Sequence, residues 1–369
     1  MSEAIPDVFR PGDRFHGYVV QKRLGAGGSG AVYLVRHEVL DALYALKIIV
    51  TRPEHEDQTY VKRFLREARL ASRIRHPNLV SVHDCGHDAE KDMYYLVMDY
   101  VPGSSLRDVL AFEGKIPSER AAGIVAQVAS ALDAAQAFKV VHRDIKPENI
   151  LIEPNWRVKL VDLGIAKAQN LGDSLNTNTD SVFGTPSYIS PEQAQCSADV
   201  DVRADIYSLG VVLFEMLTGQ CPYTGANPAI VISKILSGDE IPDVRDIVSG
   251  VSPGLAVLVR RMTKKDRTRR IATFGAVLDE LGKLGYADPR RHVPAPEYAA
   301  KPAPGMKTIL EGVGGTPAMS VDPLAAPDDD VLRFLEKNKM VRRRRALLRW
   351  LMLAAGVALG LLSAAFLVL

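Results

Sequence analysis

Cysteine is scarce in this sequence: Cys85, Cys196 and Cys221 are the only three among 369 residues. An odd number with no Cys-x-x-Cys spacing argues against a disulfide framework or a structural zinc site, and it fits a reducing compartment. His83, Cys85 and His87 stand close together, but alternate residues along a strand account for that spacing more simply than a metal does. A surplus of charge is lacking too. The 46 Lys and Arg against 44 Asp and Glu leave a net charge of +2, so nothing global points to nucleic acid as a partner. No internal repeat is present. Nor does the stretch from Met1 to Arg14, interrupted by Pro6 and Pro11, carry the apolar region a secretory signal needs.

What is there reads as ordinary globular protein, 47% apolar and 24% charged, with length enough for one large domain or two ordinary ones. Residues 1–17 form a polar N-terminal extension, and residues 18–284 read as packed structure. Strands are predicted over 18–20, 31–36, 42–50, 80–83 and 94–99. Phe64, Leu65, Ala68 and Ala71 share one face of a predicted helix over 60–74, and further helices are predicted over 121–138 and 205–217. Strands first and helices later predict an α+β architecture of two lobes, a small β-rich one joined to a larger α-rich one. Residues 285–330 are rich in Pro, Ala and Gly, too poor in burial to offset their ordering entropy, and read as a flexible tether. A basic segment follows at 331–350, with Lys337, Lys339, Arg342 to Arg345 and Arg349. Residues 351–369 hold no charge at all. As a helix that run reaches roughly 28 Å, close to the hydrocarbon thickness of a bilayer, and Trp350 stands where an interfacial aromatic would.

The run Gly25-Ala26-Gly27-Gly28-Ser29-Gly30-Ala31-Val32 has the G-x-G-x-x-G-x-V form. Glycines let a backbone bend tightly and bring N–H donors up to phosphates. Dinucleotide-binding folds share the pattern but need a helix after it; here a second strand is predicted, which makes the loop a hairpin lid. Lys47, in the next strand, is placed to reach the α- and β-phosphates of a nucleotide, and Glu67 is the carboxylate expected to fix it.

The most specific signal is His142-Arg143-Asp144-Ile145-Lys146-Pro147-Glu148-Asn149, followed by Asp162-Leu163-Gly164. Phosphoryl transfer needs a carboxylate that positions the acceptor, cations for the phosphate oxygens, and metal ligands. Asp144 can accept the proton of an attacking hydroxyl, and Lys146 can neutralise charge on the group being transferred. Asn149 and Asp162 offer the hard oxygen donors that Mg²⁺ prefers.

With these motifs in order, the chain resembles the eukaryotic-like serine/threonine protein kinases of bacteria over about residues 18–284. Gly184-Thr185-Pro186 through Ser190-Pro191-Glu192, Asp205 to Gly210, and Asp266 to Arg270 extend the likeness. The resemblance implies ATP and Mg²⁺ as cofactors, protein serine and threonine hydroxyls as substrates, and a structural ion pair between Glu192 and Arg270. It implies further that Met98 is the gatekeeper, that Asp99 to Val101 form the adenine-binding hinge, and that Leu24, Val32, Ala45 and Leu151 sandwich the base. Two departures stand out: Asp-Leu-Gly for Asp-Phe-Gly, and Ser-Pro-Glu for Ala-Pro-Glu. Both keep the required acids and read as tolerated packing changes.

An arginine at the position of Arg143 often pairs, in such kinases, with a phosphorylated activation loop. The hydroxyl-rich stretch here points to autophosphorylation at Thr177 and Thr179. Thr308, in a small apolar island of the tether, reads as residual local hydrophobicity, with a docking or phosphoacceptor site as the alternative. The basic segment places the kinase lobe on the cytoplasmic side of the span, with no residues beyond Leu369 for an external domain. Gly356 and Gly360, spaced G-x-x-x-G, allow a homodimer through the span, and the kinase domain is the alternative surface for one. The rival reading is a membrane-tethered pseudokinase that binds nucleotide or a partner without turnover. Such proteins usually lack one of the residues corresponding to Lys47, Asp144 and Asp162, and all three are here.

Overall fold

Side-chain alternation divides the first strands between two apolar layers. In the computed structural model, which describes residues 8–27, 30–50, 68–162, 186–197 and 199–286, six strands form one antiparallel sheet. They are β1 (Arg14–Phe15), β2 (Tyr18–Gly27), β3 (Gly30–His37), β4 (Leu43–Val50), β5 (Val82–Asp88) and β6 (Met93–Asp99), in the order β1-β2-β3-β4-β6-β5. Tyr33, Val35, Leu46, Ile48, Tyr95 and Val97 share one face and pack with Phe9 and Phe15. Ala45, Ile49, Leu96 and Met98, of the opposite parity, join the main core shared with the helices. Residues 8–17 therefore supply the cover on the sheet's outer face. The Val8 N–H donates to Tyr33 Oη at 3.1 Å, and Phe9 meets the Tyr33 ring edge-on at 5.6 Å.

The strand expected at 80–83 starts instead at Val82. Its first residues are engaged elsewhere: Leu79 bridges Leu160 in parallel, and the Val80 N–H donates to the Leu160 carbonyl at 3.0 Å. That stitch fastens the β-rich lobe to the second lobe. Of the helix expected over 60–74, residues 68–71 are helical and residues 60–67 lie outside the described residues.

The second lobe carries a small sheet, β7 (Ser104–Ser105), β8 (Ile150–Ile152) and β9 (Val158–Leu160). Its helices are α1 (Leu106–Glu113), α2 (Ser118–Gln136), α3 (Pro191–Ala194), α4 (Val202–Thr218), α5 (Pro228–Leu236), α6 (Val244–Ile247), α7 (Pro253–Met262) and α8 (Phe274–Lys283). The two helices expected at 121–138 and 205–217 are α2 and α4. The starts of α5 and α7 carry a plain local signal, an Asn227 or Ser252 cap followed at once by proline. Every residue of α4 from Ala204 to Thr218 is buried, which makes it the axis of the lobe. A Cβ on Gly210 would lie 2.7 Å from the Thr263 methyl and 2.8 Å from Met262 Cβ, so α4 and the end of α7 meet at a distance only glycine permits. No helix among the described residues is long and apolar enough to cross a membrane. The predicted span at 351–369 lies outside them, as do the basic segment and all but the first residues of the tether.

Candidate active site

The glycine-rich run closes a hairpin: Gly25 opposes Val32, Ala26 opposes Ala31, and Gly27 opposes Gly30 across β2 and β3. Gly30 has φ of 143°, and a Cβ there would fall 1.8 Å from the Ile48 carbonyl oxygen, so any side chain is excluded. Gly28 and Ser29, at the tip, lie outside the described residues. Lys47 sits in β4 opposite Val32. Its Nζ donates to Asp162 Oδ1 at 2.8 Å, with the two side chains 15% and 34% exposed. Glu67, the partner expected from sequence, lies outside the described residues, and the carboxylate found on Lys47 is that of Asp162.

His142 to Asn149 cross from α2 to β8, and one residue of the neighbouring strand end ties their two ends together. The Val161 N–H donates to the Asn149 carbonyl at 2.9 Å, while the Val161 carbonyl lies 3.1 Å from His142 Nε2. Asp162 follows directly, so the hairpin of β8 and β9 sets Asn149 beside the residue preceding Asp162. Asn149 Nδ2 donates to the Asp144 carbonyl at 2.8 Å and to Asp144 Oδ2 at 2.9 Å. Lys146 Nζ donates to the same Oδ2 at 2.9 Å. Both Asn149 bonds use nitrogen, which leaves its amide oxygen as a donor atom for a cation. With the Asp162 carboxylate this makes a hard-oxygen set of the type that suits Mg²⁺.

Two residues of the site hold backbone conformations that side chains disfavour. Arg143 has φ of 62° and Asp162 of 59°. Aspartate tolerates this region and arginine less so; such strain costs of order 1–3 kcal/mol and persists where neighbours over-determine it. Asp205, fully buried near the start of α4, accepts the N–H groups of both His142 and Arg143 at 2.7 Å. Burial pushes the Asp205 carboxyl pKa up, against the two donors that favour its anion.

Leu24, Val32, Ala45, Met98, Val101 and Leu151 belong to one apolar cluster, and Ala45 pairs with Met98 across β4 and β6. Asp99, where the chain leaves β6, is anchored by its side chain: its carboxylate accepts the Ser81 N–H at 3.0 Å and lies 2.6 Å from His83 Nε2. Burial opposes the anion there, but the bonds from His83 and Ser81 hold the carboxyl below its ordinary pKa. His83 is thereby bound to Asp99, and His87 to Asp92 at 3.1 Å, each in a separate contact.

Glu192 and Arg270 form the expected ion pair. It is bidentate, at 2.6 and 3.1 Å, and buried. The Ser-Pro-Glu departure has more content than a tolerated packing change. Ser190 is the N-cap of α3, accepting the Gln193 N–H, while Gln193 Oε1 accepts the Ser190 N–H at 3.1 Å to complete a capping box that alanine could not make. Leu163, the other departure, lies outside the described residues, as do Thr177 and Thr179.

Sequence reasoning missed a network centred on Arg107 of α1. Its Nε donates to Glu148 at 2.8 Å and its Nη1 to Glu215 of α4 at 2.6 Å; it also donates to Tyr188 Oη, which donates in turn to Glu215 at 2.6 Å. No local pattern marks these four residues, because they come from four separate segments.

The family model described as the protein kinase domain matches residues 18–280. The serine/threonine-protein kinase PrkC of Bacillus subtilis is 38% identical over 264 residues, which are 71% of this chain and 40% of PrkC. The serine/threonine-protein kinase PknL of Mycobacterium tuberculosis is 35% identical over 287 residues, covering 77% of this chain and 70% of PknL. Among solved structures, the M. tuberculosis PknI kinase domain superposes with a TM-score of 0.59 at 28% identity, over 74% of this chain and 99% of that one. The chain thus spans about two fifths of PrkC's length, and the stretch it shares is the one that carries the geometry above.

Proposed function

The chain belongs to the protein kinase domain family, whose members use ATP and a divalent metal, and on that premise we propose that it transfers the γ-phosphoryl group of ATP to serine and threonine hydroxyls of proteins. The observation that carries this reading is the Asp144 carboxylate, held by Lys146 and Asn149 at 2.9 Å each. In that position Asp144 orients the acceptor hydroxyl and takes its proton as the oxygen attacks the γ-phosphorus. The bond from that phosphorus to the bridging oxygen breaks, and ADP leaves with the electron pair. Lys146 steadies the charge on the moving phosphoryl group, and Lys47, aligned by Asp162, steadies the α- and β-phosphates. Asn149 and Asp162 would hold Mg²⁺, which when bound neutralises phosphate charge. Leu24, Val32, Ala45, Met98 and Leu151 supply apolar walls for the base, and the backbone from Asp99 to Val101 its hydrogen-bonding edge. The reading as a binding module without turnover is not favoured, since Lys47, Asp144 and Asp162 are all present and engaged. Incubating the full chain with Mg-ATP and a generic protein substrate tests the proposal: incorporation should require Asp144, and equal incorporation by Asp144→Asn would refute it.

Three finer features belong to the same reading. Thr177 and Thr179 are autophosphorylated and pair with Arg143; phosphosite mapping that finds both unmodified after ATP treatment counts against this. Residues 351–369 anchor the chain in a membrane with the kinase domain cytoplasmic; recovery of the full chain in the soluble fraction, with a 1–350 truncation behaving identically, would oppose it. Gly356 and Gly360 support pairing of two spans, and crosslinking unchanged by isoleucine at both positions would not fit.

A further inference from the structure

Arg143 is the most strained residue of the catalytic run, with φ of 62° and a long side chain that gains nothing from that region. Its carbonyl belongs to the same peptide plane as the N–H of Asp144, so whatever turns that plane turns the residue that receives the substrate proton. The N–H of Arg143 is pinned by Asp205 at 2.7 Å. Its carbonyl is pinned from a different direction: Gln193 Nε2 donates to it at 3.0 Å.

Gln193 is 3% exposed, and each part of its side chain has a task. Oε1 accepts the Ser190 N–H at 3.1 Å, and Ser190 Oγ lies 3.1 Å away and accepts the Gln193 N–H at 3.3 Å. Nε2 faces the other way, to Arg143. The capping box fixes the amide so that its nitrogen can only point at the catalytic run. Of the twenty side chains only glutamine offers, at this length, an acceptor for a cap and a donor for a carbonyl on one rigid plane.

We propose that Gln193 is a positioning residue for phosphoryl transfer: it carries the placement of α3, at the end of the segment from Asp162 to Glu192, into the peptide that orients Asp144. The proposal rests on reading Asp144 as the acceptor-positioning carboxylate. It separates binding from chemistry. Among the described residues, the side-chain hydrogen bonds of Gln193 run to Ser190 and Arg143 and not to the apolar walls at Leu24, Val32, Ala45 and Met98, so loss of the amide donor acts on kcat and leaves the KM for ATP in place. A misplacement of the reacting group by an ångström can cost about a hundredfold in rate; the other hold on this peptide, the Asp144 N–H donated to His142 Nδ1 at 3.3 Å, remains, so loss of the Gln193 bond gives roughly tenfold.

The test measures steady-state kinetics of the full chain with Mg-ATP and a peptide substrate. Gln193→Met, of similar volume but with no donor, should lower kcat roughly tenfold or more with KM for ATP within about twofold of wild type. Gln193→Glu keeps the acceptor of the capping box but sets a carboxylate oxygen against the Arg143 carbonyl at neutral pH, so its kcat should fall at least as far as that of Gln193→Met, with KM for ATP again unchanged. Ser252→Ala, which removes the cap of α7, serves as a control that lowers stability without lowering kcat. Asp144→Asn runs alongside. A folded Gln193→Met with wild-type kcat, in an assay where Asp144→Asn is inactive, overturns the proposal and leaves the reading of Asp144 standing. Activity retained by Asp144→Asn overturns that reading instead. A kcat loss in Gln193→Met matched by Ser252→Ala, or a Gln193→Glu kcat equal to that of wild type, would make the role merely structural and also defeat the proposal.

Discussion

Arg270→Met should be among the most destabilising single changes this fold can suffer. The guanidinium has five N–H groups, and all five are used. Nη1 donates to Glu192 Oε1 and to the Arg203 carbonyl, both at 2.6 Å; Nη2 donates to Glu192 Oε2 at 3.1 Å and to the Lys265 carbonyl at 3.3 Å; Nε donates to the Lys264 carbonyl at 2.9 Å. The guanidinium carbon also lies 5.0 Å from the centre of the Tyr207 ring, and the side chain is wholly buried. Methionine fills part of the volume but leaves the Glu192 carboxylate, 9% exposed, without its counter-charge. Breaking a buried pair from one side costs about 3–5 kcal/mol, and each stranded carbonyl adds roughly 1 kcal/mol or more. The sum approaches the whole stability of an ordinary domain, about 5–15 kcal/mol. Glu192→Gln should cost less, about 2–3 kcal/mol, because the arginine keeps its three carbonyl acceptors and one amide oxygen. The assay is equilibrium urea unfolding followed by circular dichroism, on both single variants and the Glu192→Gln with Arg270→Met double. The double variant should be no less stable than Arg270→Met alone, since it removes the stranded charge. An Arg270→Met protein within about 1 kcal/mol of wild type, or no more damaged than Glu192→Gln, would refute the reasoning.

Acid sensitivity should trace in part to His76. Burial, helped by Lys159, holds its pKa down at about 4 against an ordinary 6.5. Between about pH 4 and 6.5 the ring is neutral when folded and protonated when unfolded, so its contribution is complete above pH 6.5 and is lost as pH falls toward about 4. Between pH 7.5 and 5.0 wild type should lose up to about 2 kcal/mol more than His76→Gln, measured by urea unfolding at each pH; equal losses would contradict this. Gly30→Ala should weaken ATP binding and lower the melting temperature together, because its methyl meets the Ile48 carbonyl; a variant with wild-type affinity and stability would show that the hairpin yields easily. Lys47→Met should fall below about a hundredth of wild-type kcat/KM with the fold retained by circular dichroism, and activity within tenfold of wild type would remove Lys47 from the phosphate-binding role.

The parts of the site that were legible in sequence are those carried by residues adjacent in the chain. Asp144, Lys146 and Asn149 fall within six residues, and a 3₁₀ turn from Pro147 to Asn149 folds them onto one another. The parity of Ala45 and Ile49 against Leu46 and Ile48 is likewise a local matter, and it divides the sheet's two faces. What sequence reading missed depends on segments that meet only after folding. Arg107 and Glu215 lie 108 residues apart, and Gln193 and the Arg143 carbonyl 50. No local pattern marks Phe9 and Phe15 as core residues of the N-terminal extension, because their partners Tyr33 and Tyr95 come from strands distant in the chain. The late start of β5 has the same origin: Val80, the first residue of the expected strand, bonds instead to Leu160 at the end of β9 in the other lobe. The serine of Ser-Pro-Glu shows the converse. Its capping box was local and could have been read from Ser190 and Gln193, three residues apart.

The central claim is that the cluster around Asp144 transfers phosphate. Full-length chain incubated with Mg²⁺ and ATP labelled on the γ-phosphate should place label on serine and threonine of itself or of a protein substrate. Asp144→Asn and Lys47→Met, purified in the same way and folded by circular dichroism, should incorporate at most about a hundredth as much. Equal incorporation by wild type and both variants would contradict the account.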